Sequence, residues 1–387
     1  MTSATLVLPG ADGHLAPFTL AAGPAPAASG GWTRVAYAAA HVVSDPLAEC
    51  DPWVDVAVDW DRTLAFRAHL WGLGFGVAEA MDTAQRGMGL DWPTSLDLIR
   101  RSQEVAKAGG HLIASGAGTD HLKAGPETTI EDVIAAYEQQ CEAVEATGSR
   151  VILMASRALT AVATSPDDYA RVYSRVLSGL AQPAILHWLG EMFDPALEGY
   201  WGSPDHMAAM ETCLQIIEAN AAKIDGIKIS LLSAEKEISM RRRLPPGVKM
   251  YTGDDFNYPD LIAGDAMGHS HALLGIFDPI AGAAARALSA LGAGDAAAYG
   301  AAFGPTVPLS RHIFKAPTRF YKTGVVFLAY LNGHQDHFTM IGGQESTRST
   351  VHLAEIVRLA SAAGLFPDPE AAAERARRVF ALRGVGV

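Results

Sequence analysis

Lys228 is the residue from which chemistry is most directly read. It lies in Lys223-Ile224-Asp225-Gly226-Ile227-Lys228-Ile229-Ser230, a β-branched apolar run of strand type bounded by polar residues. A lysine is rarely buried without a partner or a task. An ammonium withdrawn from water loses solvation, so its pKa falls and the free amine can attack a carbonyl carbon to form an imine. For the residue alone, a strand-end lysine whose head reaches solvent or pairs with an acid is the competing reading.

Polar residues at the ends of the neighbouring apolar runs could complete such a site. Glu79 and Asp82 follow one run, Asp120 and His121 the next, then Ser156-Arg157, His187-Trp188 with Glu191 beyond, Gly253-Asp254-Asp255 and Gly268-His269-Ser270-His271. Two chemistries fit this ring. In one, Lys228 forms an imine with a ketone or aldehyde while His187, Glu79 or Asp254 moves protons during C–C cleavage. In the other, Glu79, Asp82, His187, Asp254, His269 and His271 bind a divalent metal that polarises the carbonyl. His269 and His271 share one strand face, as ligands often must, yet loop-end histidines bonded to backbone read the same way. Asp254 and Asp255 divide between a turn or N-cap role and the site. His334 and His337, at i and i+3, fit a loop between helices better than a ligand pair.

These residues must be positioned by elements, and the pattern of apolar run, polar loop and amphipathic helix supplies them. Strands are expected over 34–43, 72–78, 111–115, 150–155, 183–188, 224–230, 249–252 and 268–276. Helices are expected over 63–70, 95–108, 129–147, 166–180, 204–222 and 233–243. Eight strands alternating with helices close a (β/α)₈ TIM barrel over residues 32–280. An open doubly wound sheet is disfavoured because no GxGxxG follows the first strand. Residues 1–31 read as a hairpin and a flexible linker decorating the barrel, and 281–387 as a helical region that covers it or builds an oligomer contact.

The 387 residues are 49% hydrophobic and 19% charged, in the range of a globular enzyme. A formal net charge of −12 argues against nucleic acid or an anionic membrane as partner. The three cysteines, Cys50, Cys141 and Cys213, are scattered and form no CxxC pair, which fits a reducing compartment. With no signal-like start and no long apolar run, a cytoplasmic location is expected.

Gly226-Ile227-Lys228, then Tyr251-Thr252-Gly253-Asp254-Asp255 and the stretch from Gly264 to Gly268, together resemble the dihydrodipicolinate synthase and N-acetylneuraminate lyase superfamily. Upstream, His111-Leu112-Ile113-Ala114-Ser115-Gly116-Ala117-Gly118-Thr119 is similar to that superfamily's third strand and Gly-Thr-Gly loop. The resemblance runs in order over residues 32–365. It implies a barrel with a C-terminal helical region, a Schiff-base lysine at Lys228, and a dimer or tetramer.

Three departures accompany it. The carboxylate-binding Gly-Thr-Thr-Gly-Glu loop is replaced by Gly76-Val77-Ala78-Glu79-Ala80-Met81-Asp82-Thr83. The Pro-Tyr-Tyr ending of the fourth strand is replaced by Ala155-Ser156-Arg157-Ala158, and the fifth-strand Tyr-Asn by His187-Trp188. The resemblance therefore implies a divergent branch rather than dihydrodipicolinate synthesis.

The expectation is a class I aldolase-type lyase, forming a Schiff base through Lys228 with a polyhydroxylated keto compound or keto acid. His187 shuttles protons, Glu79, Asp82, Asp254 and His269 bind substrate hydroxyls, Trp188 offers an apolar wall, and Arg157 joins the substrate-binding set. No cofactor is expected. The alternatives are a metal-dependent isomerase, epimerase or aldolase using Glu79, His187, Asp254, His269 and His271, and a non-catalytic ligand-binding barrel. The partner is a small keto or sugar-derived substrate, and the assembly a homodimer or homotetramer.

Overall fold

In the computed structural model, which describes residues 4–28 and 30–386, the chain divides into two compact units. Residues 1–3, 29 and 387 lie outside the described residues, and with them those points of the expected N-terminal segment and linker. One unit comprises Met1–Thr33, His41–Phe75 and Ile276–Val387, the other Arg34–Ala40 and Gly76–Gly275. The sequence reading, by contrast, has three consecutive segments.

In the first unit, β1 (Thr5–Pro9) pairs antiparallel with β2 (Leu15–Thr19) across the turn at Gly10–Gly13. Alternation in β1 buries Leu6 and Leu8 on one face. That face packs on the helices Thr350–Ala362 and Pro369–Leu382. Arg358 and Arg377 donate to the carbonyls of Pro9 and Thr5 at 2.8 and 2.9 Å. The hairpin is thus tied to the helical C-terminal region. Trp60–Gly72, Ala281–Gly292, Ala296–Phe303, Thr306–Ile313 and Tyr321–Leu331 are the unit's other helices.

The second unit is the barrel. β3 (Ala36–Ala39), β4 (Gly76–Glu79), β5 (Ile113–Ala117), β6 (Arg150–Leu153), β7 (Ala184–Leu189), β8 (Ile224–Ser230), β9 (Lys249–Thr252) and β10 (His271–Leu274) lie in chain order, all parallel. β10 pairs back onto β3, so the sheet has no edge. Each of the eight expected strands corresponds to one of these. Helices such as Trp92–Gly109 and Ile130–Thr147 run between them, started by Asp91 and by the Thr129/Asp132 capping box.

Register decides which side chains enter the barrel. Tyr37, Ala39, Ala78, Ala114, Ile152, Ile185, Tyr251 and Leu273 form one buried cluster, and the pairings place them on one face. Counting by twos along each strand, His187, Lys228, Ser230 and Gly253 share that interior face. Glycines make room inside: a Cβ on Gly76 would lie 2.7 Å from the Tyr37 ring, and one on Gly226 2.7 Å from the Tyr251 ring.

At the N-terminal ends of the strands the floor is closed by charges. The β7–β8 ladder slips between Ala184/Ile224 and Ile185/Gly226, leaving Asp225 as a bulged residue. Its carboxylate accepts from the Tyr251 hydroxyl at 2.7 Å and from Lys249 at 2.8 Å, and pairs with Arg150 at 3.0 Å. No helix among the described residues is long and apolar enough to cross a membrane.

Candidate active site

The mouth at the C-terminal ends of the strands is where barrels of this kind carry chemistry, and Lys228 points into it from two residues before the end of β8. The side chain is buried, and no hydrogen bond or ion pair holds its Nζ among the described residues. Gly253 on β9 makes the space, because a Cβ there would fall 2.8 Å from Lys228 Cε and 2.4 Å from Ser230 Oγ. Burial lowers the Lys228 pKa to about 8, against the opposing pull of Asp255 and Asp82. At pH 7 about a tenth of the lysine is then free amine, against well under a thousandth for an unperturbed lysine.

His187 on β7 is the direct ladder partner of Lys228. Its Nε2 lies 3.3 Å from Ser230 Oγ, and its Nδ1 has no partner. Burial, then the charge on Lys228, lower its pKa well below the ordinary imidazole value. The ring is neutral near pH 7 and able to accept a proton.

Two loops frame these groups. After β4 the chain reverses through Ala80, at φ 50°, into a one-turn 3₁₀ helix that starts at Asp82. After β8 it reverses through Leu232, also at φ 50°. Left-handed backbone at residues with a Cβ is costly, and it persists only where the surroundings enforce it. Arg86 enforces the first loop. It donates to the carbonyl of Gly116 at 2.9 Å and of Ala80 at 3.3 Å, and to Gln140 at 2.8 Å, and it forms a two-pronged ion pair with Asp120. Its guanidinium also lies 5.2 Å over the Trp92 ring.

A second network fixes the end of β6. The Tyr200 hydroxyl accepts from the Ser156 amide at 3.1 Å and bonds to Tyr173 at 2.8 Å, while Ser156 Oγ meets Thr119 Oγ1 at 2.6 Å. The loops after β4, β5, β6 and β7 enclose a cleft of about 630 Å³, whose lining does not include Lys228 or His187. Asp82, Arg86, Asp120, Arg157 and Asp194 are among its polar lining, and Leu90, Trp92 and Leu122 form part of its apolar wall. Arg157 sits at the rim, paired with Asp194 at 2.5 Å.

Lys228, His187 and Asp82 therefore converge, with Arg157 on the rim. Five other expected site residues are placed elsewhere. Glu79 alternates with Ala78 and so faces the outside of β4, beside Ser115, with Oε1 accepting from the Ala80 amide at 2.8 Å. Trp188 alternates with His187 and packs outside the sheet, against the rings of Trp201 and His206. His269 and His271 lie at the barrel floor, where His271 Nδ1 accepts from the Val35 amide at 3.0 Å. Asp254 caps its own loop: Oδ1 accepts from the amides of Phe256 and Asn257 at 2.9 and 3.1 Å, and Oδ2 from Asn257 Nδ2 at 2.8 Å. The proposed metal set of Glu79, His187, Asp254, His269 and His271 is thus spread over both ends and both faces of the sheet. Among the described residues, no group of three or more His, Cys, Asp and Glu is placed to hold a metal ion.

Asp255, Ser230 and Arg86 were not assigned to the site from sequence. Ser230 had a usable signal, since a residue two beyond Lys228 on a strand shares its face. Asp255 and Asp254 were interchangeable by type. Arg86 lies in a loop whose path only the fold defines.

The profile of the family described as "Protein of unknown function (DUF993)" matches residues 6–385. The chain belongs to this family. No curated protein sequence matches it. Solved structures share the family member's fold at low identity. Dihydrodipicolinate synthase from Thermotoga maritima has a TM-score of 0.64 at 13% identity, over 86% of this chain and 99% of that one. The enzyme from Aquifex aeolicus has a TM-score of 0.61 at 12% identity, over 84% and 96%. Dihydrodipicolinate synthase DapA-2 from Bacillus anthracis has a TM-score of 0.59 at 15% identity, over 84% and 97%. The superfamily resemblance read from the sequence thus stands at the level of the fold.

Proposed function

We propose that the protein is a carbon–carbon lyase of the class I aldolase type that holds a keto substrate as an imine on Lys228. The observation that carries this reading is an interior lysine at the barrel mouth, without a partner, its pKa lowered to about 8 by burial, beside a neutral imidazole. The free amine adds to the substrate carbonyl, and the carbinolamine loses water to give a protonated imine. A base takes the proton from the hydroxyl β to the imine carbon, and His187 is assigned this task. The C–C bond breaks, its electron pair moves into the imine to form an enamine, and an aldehyde leaves. Protonation of the enamine carbon and hydrolysis then release the second product and the amine.

Asp82 is assigned to substrate hydroxyls, and Arg157 at the rim to a hydroxyl or carboxylate. This suits a polyhydroxylated keto compound or keto acid, whose carbon skeleton lies along the apolar wall. A homodimer or homotetramer, as the resemblance implies, accompanies the proposal and is checked by light scattering. The metal-dependent reading draws no support from the residue positions, because its histidine pair lies at the other end of the barrel. The test is reductive trapping. With borohydride and a panel of ketones and keto acids, at least one compound is expected to leave a mass adduct on the peptide containing Lys228. The absence of any adduct across the panel overturns the reading.

A further inference from the structure

The cleft enclosed by the four loops of the barrel unit holds about 630 Å³, within the range of clefts that bury the body of a small molecule. Lys228 is not in its lining, but Asp82 is, and the Asp82 carboxylate is close enough to Lys228 to oppose the fall of its pKa. The cleft therefore opens beside the lysine. What it takes is decided by which of its polar groups are already occupied.

Most are occupied by other protein groups. Arg86 donates to Asp120, to Gln140 and to the carbonyl of Gly116, and Asp120 accepts in addition from Gln140 Nε2 at 2.9 Å. His121 bonds through Nε2 to Gln139 at 3.0 Å and through Nδ1 to Gln140 at 2.8 Å. Thr119 bonds to Ser156, Thr160 donates to the Ser156 carbonyl at 3.1 Å, and Asp91 accepts from the Thr94 amide at 2.9 Å. Asp194 accepts from Arg157 Nε and from the Ala196 amide. Apart from Asp82 on the side of Lys228, the charged lining groups with unused donors among the described residues are the exposed Lys123 and the outer nitrogens of Arg157 at the rim. Gly87 keeps room for the latter, since a Cβ there would lie 3.0 Å from Arg157 Nη2.

Much of the remaining wall is apolar, with Leu90, Trp92, Leu122, Met154, Leu189 and Leu197 facing the space. A hydroxyl laid against such a wall leaves water and gains no partner. An aryl or alkyl carbon placed there is stabilised by leaving water.

We infer that the substrate held on Lys228 carries a large apolar body, an aryl or branched alkyl group, which fills this cleft and ends in a carboxylate at the Arg157 rim. This rests on the imine reading above and narrows it to a keto acid whose hydroxyls are confined to the carbons nearest Lys228, within reach of Asp82.

Cinnamate and glycerate carry the same charge and form no imine, so they separate the body from the chemistry. In calorimetric titration of the full chain, one cinnamate is expected to bind saturably in the millimolar range or tighter, with glycerate about tenfold weaker or worse. Ala161→Trp and Ala196→Trp place a ring in the cleft from exposed positions, and each is expected to weaken cinnamate about tenfold or more. With borohydride, para-acetonylbenzoate, a ketone with an aryl body and a distal carboxylate, is expected to label Lys228 about tenfold more slowly in Ala161→Trp than in the parent. The absence of saturable cinnamate binding, glycerate binding as tightly as cinnamate, or unchanged cinnamate affinity in both tryptophan variants would each overturn the inference. Adducts in the ketone panel without cinnamate binding overturn the apolar body alone and leave the imine reading standing. Cinnamate binding with no adduct from any ketone overturns the imine reading, and with it the link between this cleft and Lys228.

Discussion

At the floor of the barrel, Asp225 is held by Tyr251, Lys249 and Arg150, all within 3.0 Å. At the mouth, Lys228, three residues along the same strand, has no hydrogen-bond partner among the described residues. Burial alone would raise the Asp225 pKa, yet Lys249, Tyr251 and Arg150 overcome it and leave the carboxyl below its ordinary value. At Lys228 burial prevails over Asp255 and Asp82, and the group is pushed toward its neutral form. Within one sheet, then, one charge is held by its neighbours and the other is pushed toward its neutral form, as the proposed imine chemistry requires.

The strongest way to break this contrast is Lys228→Met. The variant is expected to give no borohydride adduct and to lose activity by on the order of 10³-fold or more. It is also expected to be more stable than the parent at pH 7. A lysine whose folded pKa, about 8, is depressed below its unfolded value, about 10.4, weakens the fold wherever the unfolded chain would bind the proton. The stability gap should therefore close as pH rises from 8 to 10, and denaturant melts across that range read it directly. A parent that is the more stable at pH 7 would mean that Lys228 is paired after all. By the same logic, trapping on the parent should accelerate as pH rises toward 8 and level off above it.

His187→Gln is expected to slow turnover by about 10²–10⁴-fold while leaving the Lys228 adduct in place, which mass spectrometry distinguishes from loss of the nucleophile. Asp225→Asn should do the reverse. Removing one partner from the floor cluster is expected to cost about 3 kcal/mol in urea denaturation, with trapping intact. Because the Asp225 pKa is depressed, its contribution is present above the unfolded value, near 3.9, and is lost only as pH falls through the lower folded pKa. The smallest effect belongs to Arg157→Ala. This half-exposed ion pair is worth about 0–1 kcal/mol of stability, so the change should appear in KM rather than in a melt.

Much of the barrel was legible because strand and helix periods are local properties. All eight strands fall within or beside the expected runs, and β8 and β9 match them to the residue. The site was legible where a residue's face follows from counting by twos along a strand, as for Lys228 and His187. It was illegible where loop geometry intervenes. Asp254 and Asp255 are identical in type and adjacent, and only the turn made by Phe256 and Asn257 shows that the Asp254 carboxylate caps the loop. His269 and His271 open the eighth strand both in the expected run, 268–276, and in β10, which begins at His271, so they lie at the strand's entrance on the floor and not among the mouth residues with which they were grouped.

The sequence by itself determined a closed parallel barrel and the presence of one lysine on an interior strand face, because hydrophobic periodicity and glycine placement act over a few residues. The tertiary structure alone decided which end of the barrel each polar group occupies and which charges find partners. Those outcomes depend on inter-strand register, on the bulge at Asp225 and on loops pinned by residues such as Arg86, whose partners are up to 54 positions away along the chain.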